Sequence, residues 1–289
     1  MSHNADPAKQ KTTTAAYACG IVLHPAGHTR SPAMHRAAYA ALGIEATYTA
    51  HDIPPAELKA AMTRFREEAI RQLAVSIPHK EEMLSQVDEI EPVAQTIGAI
   101  NTVTRVGERL IGTNTDWIGA LRALERETEV KGQRAVVLGA GGTARALVYG
   151  LKQRGCEVFV LNRTQARAET LVRDLSAEGA GPLEQLAALR PALLINTTSV
   201  GLNEAVSPVA SEAIPEGATV LDAVYSPERT RFLVEAEARG ARPVGGKWML
   251  IYQALEQLRI WTSALPEPPS DADLDAVIPV MEEAFDQAG

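Results

Sequence analysis

Along most of the chain, short apolar runs alternate with longer stretches in which apolar residues recur every three or four positions. The first pattern predicts buried strands, and the second predicts helices with one face toward a core. Strands are expected at 17–23, 47–49, 73–77, 100–104, 135–138, 158–161, 192–196, 219–223 and 241–244. Residues 100–104 and 110–112 read as a hairpin turned at Val106-Gly107-Glu108. Helices are expected at 32–42, 54–71, 117–126, 165–178, 229–239 and 271–285, with a long amphipathic one at 248–263. The stretch 88–96 reads as helix or turn. Strands alternating with helices put the chain in the α/β class.

The most informative stretch is 136–164. A β-branched run ends in Gly139-Ala140-Gly141-Gly142-Thr143-Ala144, a helical pattern follows to about Arg154, and a second strand comes after Gly155. Strand, glycine turn, helix and strand make a seat for a diphosphate. Gly139 permits the turn, Gly141 lets the backbone approach the anion, and the helix N-terminus aims free N–H groups at it. Ala144 stands where a third glycine is usual. At the end of the second strand, NAD-binding units offer a carboxylate to the ribose. This chain offers Asn162-Arg163-Thr164, with Arg167 nearby. A guanidinium binds a 2′-phosphate that a carboxylate would repel, so the expected cofactor is NADP(H). The competing readings are a purely structural glycine turn and a solvated Arg163.

Composition narrows the rest. The 289 residues suggest one or two domains, and an apolar fraction of 46% can build ordinary cores. A net charge of −8, without a run of Lys and Arg, argues against a nucleic-acid partner. No apolar stretch is long enough to span a membrane, and the N-terminus lacks the apolar segment of a signal peptide. Cys19 and Cys156 suggest neither a disulfide framework nor a metal site, which fits a reducing cytoplasm. The expected layout is a loose tail at 1–15, an α/β domain at 16–116 and a dinucleotide domain at 117–246. Helices at 247–289 are placed to return to the first domain. Right-handed crossovers make the sheet of the dinucleotide domain doubly wound and parallel.

Three features of the first domain carry candidate chemistry. Ser31 precedes Pro32 and suits a helix N-cap, yet with Thr29 it forms a hydroxyl pair able to hold a ligand carboxylate. Lys80 follows a strand at the start of a helix, where its charge opposes the helix dipole, unless it simply pairs with a nearby glutamate. In Asn114-Thr115-Asp116, capping explains one residue but not all three.

The glycine turn, Asn162-Arg163-Thr164, PHKE, GTNTD and GGKWMLIYQA, in this order, resemble the shikimate dehydrogenase family over 18–261. The resemblance implies an N-terminal α/β substrate domain joined to a Rossmann-type NADP-binding domain, with C-terminal helices packing on the first. It implies reversible reduction of 3-dehydroshikimate to shikimate with NADPH, by a monomer or homodimer. Lys80 and Asp116 match the family's catalytic pair, and Thr29 and Ser31 its carboxylate-binding hydroxyls. Ser76, Asn101, Tyr225 and Gln253 match substrate-side positions. Thr197, Thr198 and Gly246 match the nicotinamide side. Departures are Thr29 for serine, Ala74 for a polar residue, and Lys247-Trp248, which are expected to crowd or re-charge the nicotinamide mouth. They leave quinate or a related cyclic polyol carboxylate as an alternative substrate. A catalytically silent dinucleotide sensor is the alternative from another class.

Overall fold

The structure, a computed structural model, describes residues 17–27 and 29–288. The tail expected at 1–15 lies outside them.

The first half contains strands β1 (Tyr17–Leu23), β2 (Ala46–Asp52), β3 (Gln72–Val75), β4 (Glu89–Ile90), β5 (Thr102–Val106) and β6 (Arg109–Thr113). Its helices are α1 (Ser31–Ala41), α2 (Leu58–Glu67), α3 (Pro92–Ile97) and α4 (Asp116–Glu125). The sheet order is β2-β1-β3-β5-β6-β4, with β1 parallel to both β2 and β3, and β5 and β6 forming the expected hairpin. Alternation along β1 sends Cys19, Ile21 and Leu23 to one core and Val22 to the other, so both faces are covered. The stretch expected as helix or turn at 88–96 instead opens with the two-residue strand β4, which pairs with β6 before α3 begins. Two residues are too few for a periodicity to register. Helix α2 stops at Glu67 rather than 71, and Ala69 turns the chain with φ 51° into β3.

The second half contains β7 (Arg134–Leu138), α5 (Gly142–Gln153), β8 (Glu157–Leu161), α6 (Gln165–Leu175), β9 (Gly179–Gly181), α7 (Leu186–Leu189), β10 (Leu193–Asn196), β11 (Thr219–Asp222), α8 (Arg231–Ala238) and β12 (Arg242–Val244). Its sheet order is β12-β11-β10-β7-β8-β9, parallel throughout. The doubly wound expectation holds. The chain steps outward from β7 to β9, then returns to β10 on the other side. The order therefore reverses between β7 and β10, where open α/β sheets take their ligands. β9 was not expected. It reads Gly-Ala-Gly, without β-forming side chains, and is a strand only because β8 offers it an edge.

Three helices close the chain: α9 (Gly246–Thr262), α10 (Asp271–Ala276) and α11 (Ile278–Gln287). The expectation of an amphipathic α9 is wrong. Its buried residues include Met249, Ile251, Gln253, Leu255, Gln257 and Trp261, which cover most of its circumference. It is wedged between α4 and the core of the first half. A Cβ on Gly119 of α4 would stand 2.6 Å from the Met249 carbonyl, so only glycine admits this approach. The final helix expected at 271–285 is broken at Val277, because Pro279 has no N–H for a continuous ladder. α11 packs on α1, and the Arg30 guanidinium lies 4.3 Å from the centre of the Phe285 ring. The terminal helices thus return to the first half.

One buried group makes stability pH-dependent. His35 on α1 is fully buried, stacks on Tyr48 at 4.2 Å, and has the Gln257 side chain as a polar neighbour. Desolvation pushes its pKa down to about 3. The unfolded chain therefore binds a proton that the folded chain refuses below the ordinary histidine pKa. Stability is lost as pH falls from the neutral range toward 3, by about 2 kcal/mol between pH 7 and pH 5. Urea titrations of wild type and His35→Phe should show this slope in the first and a flatter one in the second. Parallel slopes would remove His35 as its source.

Candidate active site

A cleft opens between the two halves, with about 920 Å³ of empty space counting the solvent at its mouth. The first half contributes Ser31, Ala74, Ser76, Lys80 and Asp116. The second contributes Thr143 after the glycine turn, Thr197 and Thr198 after β10, and Tyr225 after β11. The start of α9 adds Gly246, Met249 and Gln253. The reversal point of the parallel sheet therefore faces the far ends of β3 and β6, and residues distant in sequence share one space.

At its centre, Lys80 Nζ lies 2.6 Å from Asp116 Oδ2 and donates to Thr143 Oγ1 at 3.1 Å. The Lys80 and Asp116 side chains are only 12% and 5% exposed, so the pair sits in a low dielectric where charge interactions are strong. Each residue of Asn114-Thr115-Asp116 has its own task. Asn114 Oδ1 accepts the Asp116 N–H at 3.0 Å, and its Nδ2 donates to Ala99 O at 2.9 Å, which fixes the turn into α4. The Thr115 hydroxyl donates to Gln253 O at 3.0 Å and ties α4 to α9. The Asp116 carboxylate remains for Lys80.

Asn101 stands behind this pair, 1% exposed. Its Nδ2 donates to Asp116 Oδ1 at 2.8 Å and to Thr115 Oγ1 at 2.9 Å, with Gln253 Oε1 at 3.2 Å. Its Oδ1 accepts the Thr115 N–H at 2.7 Å. In this arrangement Asn101 holds Asp116 and does not line the cleft.

The hydroxyl pair lies at the start of α1. Ser31 is not the N-cap that its place before Pro32 suggests. It is the first helical residue, 2% exposed, and lines the cleft. Its position inside the first turn takes its hydroxyl out of capping range. Arg30 is the N-cap, without a side-chain cap, and Thr29 Oγ1 accepts the Ser31 N–H at 3.4 Å in the turn before the helix. The Tyr225 and Thr29 hydroxyls interact; burial pushes the Tyr225 phenol up, against Thr29 and Arg30, which pull it down.

The glycine turn behaves as its pattern predicts at two positions. Gly139 has φ 110°, and a Cβ there would meet Thr197 Oγ1 at 2.6 Å. A Cβ on Gly141 would meet only Glu81 Oε1, at 3.9 Å, so the approach to the N-terminus of α5 is open. No side chain caps that N-terminus, and its N–H groups are available to an anion. Ala144 is 1% exposed and serves close packing. Beyond β8, Asn162 Nδ2 donates to Thr164 O at 2.9 Å, and Thr164 opens α6. Arg163 is exposed and makes no hydrogen bond or ion pair among the described residues. Arg167 reaches across the cleft mouth to Glu81 at 3.2 Å. The open helix end and the uncommitted Arg163 fit a dinucleotide carrying a 2′-phosphate.

Two expectations change. Lys247 does not re-charge the nicotinamide mouth. It turns outward to Asp286 at 2.7 Å and Glu282 at 3.0 Å on α11. Trp248 does not crowd it either, lying under Arg126 at 3.8 Å and against Tyr252. Among residues not singled out from the sequence, Glu81 stands over the turn and Gln257 lines the cleft floor. Gln257 lies one turn beyond Gln253 on the same helix face, a spacing that could have found it.

Two family models match the chain. The shikimate dehydrogenase substrate binding domain covers residues 21–103, and shikimate / quinate 5-dehydrogenase covers residues 121–208. A shikimate dehydrogenase (NADP(+)) of Thermococcus kodakarensis is 42% identical over 86% of this chain and 92% of its own length. One from Thermus thermophilus is 43% identical over 86% of this chain and 93% of its own. The crystal structure of Thermus thermophilus shikimate 5-dehydrogenase, in complex with NADP(H) and shikimate, aligns with a TM-score of 0.83 and 39% identity, over 94% of this chain and 100% of that one. Matched in both halves, and along most of its length by such relatives, the chain belongs to the shikimate dehydrogenase family.

Proposed function

We propose that this protein is an NADP-dependent shikimate dehydrogenase, interconverting 3-dehydroshikimate and shikimate. The observation that carries the reading is the Lys80–Asp116 pair facing the glycine turn, with Lys80 Nζ 3.1 Å from Thr143. A dinucleotide seated on α5 brings its nicotinamide end toward Thr197, Thr198 and Gly246. Arg163 takes the 2′-phosphate, and Arg167 adds to that patch once it leaves Glu81.

When bound, the cofactor supplies a hydride to the carbonyl carbon of 3-dehydroshikimate. Lys80 carries three N–H donors. Two point to Asp116 and Thr143, and the third is left for the carbonyl oxygen. As that oxygen gains charge, Lys80 stabilises it and transfers a proton to it. Asp116, fixed by Asn101, aims Lys80 and accepts a substrate hydroxyl. Thr29 and Ser31 at the start of α1 receive the carboxylate, which the helix N-terminus also favours, while Ser76 and Tyr225 line the substrate space.

Initial rates of purified protein with shikimate and with quinate, each against NADP⁺ and NAD⁺, test the proposal. The expected result is shikimate-dependent reduction of NADP⁺. Absence of turnover, or quinate as the better substrate, would overturn it. Arg163→Ala should raise the KM for NADP⁺ roughly 10- to 100-fold, the loss of a charge-assisted pair, and leave the weaker rate with NAD⁺ unchanged. A wild-type preference for NAD⁺ above about tenfold would refute the role given to Arg163. The reading further assigns the enzyme to the cytoplasm as a monomer or homodimer. Its two cysteines are buried free thiols, and no described helix is long and apolar enough to cross a membrane. Sedimentation equilibrium distinguishes the two assemblies.

A further inference from the structure

Gln257 is 1% exposed on α9, four residues past Gln253, and lines the same cleft as Lys80 and Asp116. Its Nε2 donates to Asn101 O at 3.1 Å and to Thr102 Oγ1 at 3.0 Å. We propose that Gln257 is a positioning residue for Lys80 and Asp116, acting through the Thr102 hydroxyl and the Asn101 amide. The inference rests on the roles given above to Lys80 and Asp116.

The Asn101 carbonyl oxygen can only accept, so Gln257 must present its nitrogen there. Its Oε1 is left on the side of His35, whose ring the Gln257 side chain supports against desolvation. With Nε2 so placed, one of its protons falls on Thr102 Oγ1. A hydroxyl has a single proton to give. Because Gln257 donates to this one, Thr102 is set as the donor to Asn101 Oδ1, at 2.8 Å. Thr102, together with the Thr115 N–H, then fixes which way the Asn101 amide faces. A flipped Asn101 would set its oxygen against Asp116 Oδ1 and its nitrogen against two donors. Held unflipped, it donates Nδ2 to Asp116 Oδ1 and leaves Oδ2 aimed at Lys80. The donor sequence is therefore Gln257 to Thr102 to Asn101, and Asn101 to Asp116. Each step lies in a buried place where an unmade hydrogen bond is costly.

The test is a double-mutant cycle on the whole enzyme, with kcat and both KM values measured for shikimate oxidation. Gln257→Leu and Thr102→Val each lower kcat roughly 5- to 20-fold, as expected for one or two lost buried hydrogen bonds. The KM for NADP⁺ is unmoved. Acting on one path, the two changes together cost within about twofold of the worse single variant. Thr102→Ser keeps the hydroxyl and recovers most of the rate that Thr102→Val loses, which a purely volumetric role would not predict. A Gln257→Leu enzyme within about twofold of wild type, losses that multiply in the double variant, or no recovery with serine would each overturn the proposal. Should Gln257→Leu not fold, the valine and serine variants at Thr102 decide the matter. Turnover by wild type is read in the same series. Its absence defeats the proposed function, whereas active wild type with an indifferent Gln257 defeats this inference alone.

Discussion

Lys80→Met lowers turnover of shikimate by roughly 10²–10⁴, the contribution of a positioned acid and charge stabiliser, while NADP⁺ binds nearly as well as before. Methionine keeps the stem that lies against the glycine turn, so the two halves stay in register. It removes the N–H donor at the reacting oxygen and leaves Asp116, 4% exposed, without its cationic partner. In the proposed function cofactor affinity rests mainly on the N-terminus of α5 and on Arg163, which the change does not reach. Fluorescence titration with NADPH beside steady-state kinetics separates the two effects. A folded Lys80→Met enzyme turning over near the wild-type rate would exclude Lys80 as the acid.

Gly142→Ala lowers kcat about 10- to 100-fold through displacement alone, since shifts near 1 Å at a reacting group cost about that much. Gly142 is the first residue of α5, and its φ lies outside the left-handed region, so alanine pays no backbone penalty there. Its added Cβ would stand 2.8 Å from Lys80 Cβ and 3.2 Å from Ala99 Cβ. Something must yield, and the neighbour that moves is Lys80, the proposed acid. The halves can part slightly at an open cleft, so the melting temperature should hold within about 3 °C while the rate collapses. An unchanged kcat would mean that Lys80 tolerates the shift. In the sequence pattern Gly142 is one more glycine of a diphosphate turn. In the fold it is where the two halves touch at the reacting lysine.

Much of this arrangement was legible in the chain. The strand–glycine–helix–strand unit carries its own context, and a short β-branched run before a glycine turn has few other uses. The position of Arg163 just past β8 followed from the same alternation, whereas Lys80 and Asp116 were paired only by the family resemblance. What escaped has physical causes. β4 and β9 have no side-chain pattern and exist only because a neighbour offers hydrogen bonds. α9 looked amphipathic, but its polar residues, Gln253 and Gln257, face a buried polar network rather than water. Lys247 could be aimed only once α11 was in place. Ser31 does not cap α1 because the helix starts one residue earlier than its place before Pro32 suggests, which makes Arg30 the N-cap.

The seating of α9 limits how the protein can be recombined. Its first residue, Gly246, lies so close to the carbonyls of Asp222, Ala223 and Val224 that a Cβ would stand 2.8–2.9 Å from each. From Ile251 to Trp261 the same helix belongs to the core of the first half. A graft that exchanges the cofactor half for one of different nucleotide preference, with its junction after β12, would keep the helix but change the floor it rests on. A donor whose β11 turn sets those carbonyls even slightly higher would tilt α9, and with it Gln253 and Gln257. A transplant meant only to alter the coenzyme would then also loosen the carboxylate that aims the acid, unless the donor's β11 turn travels together with the first turn of α9.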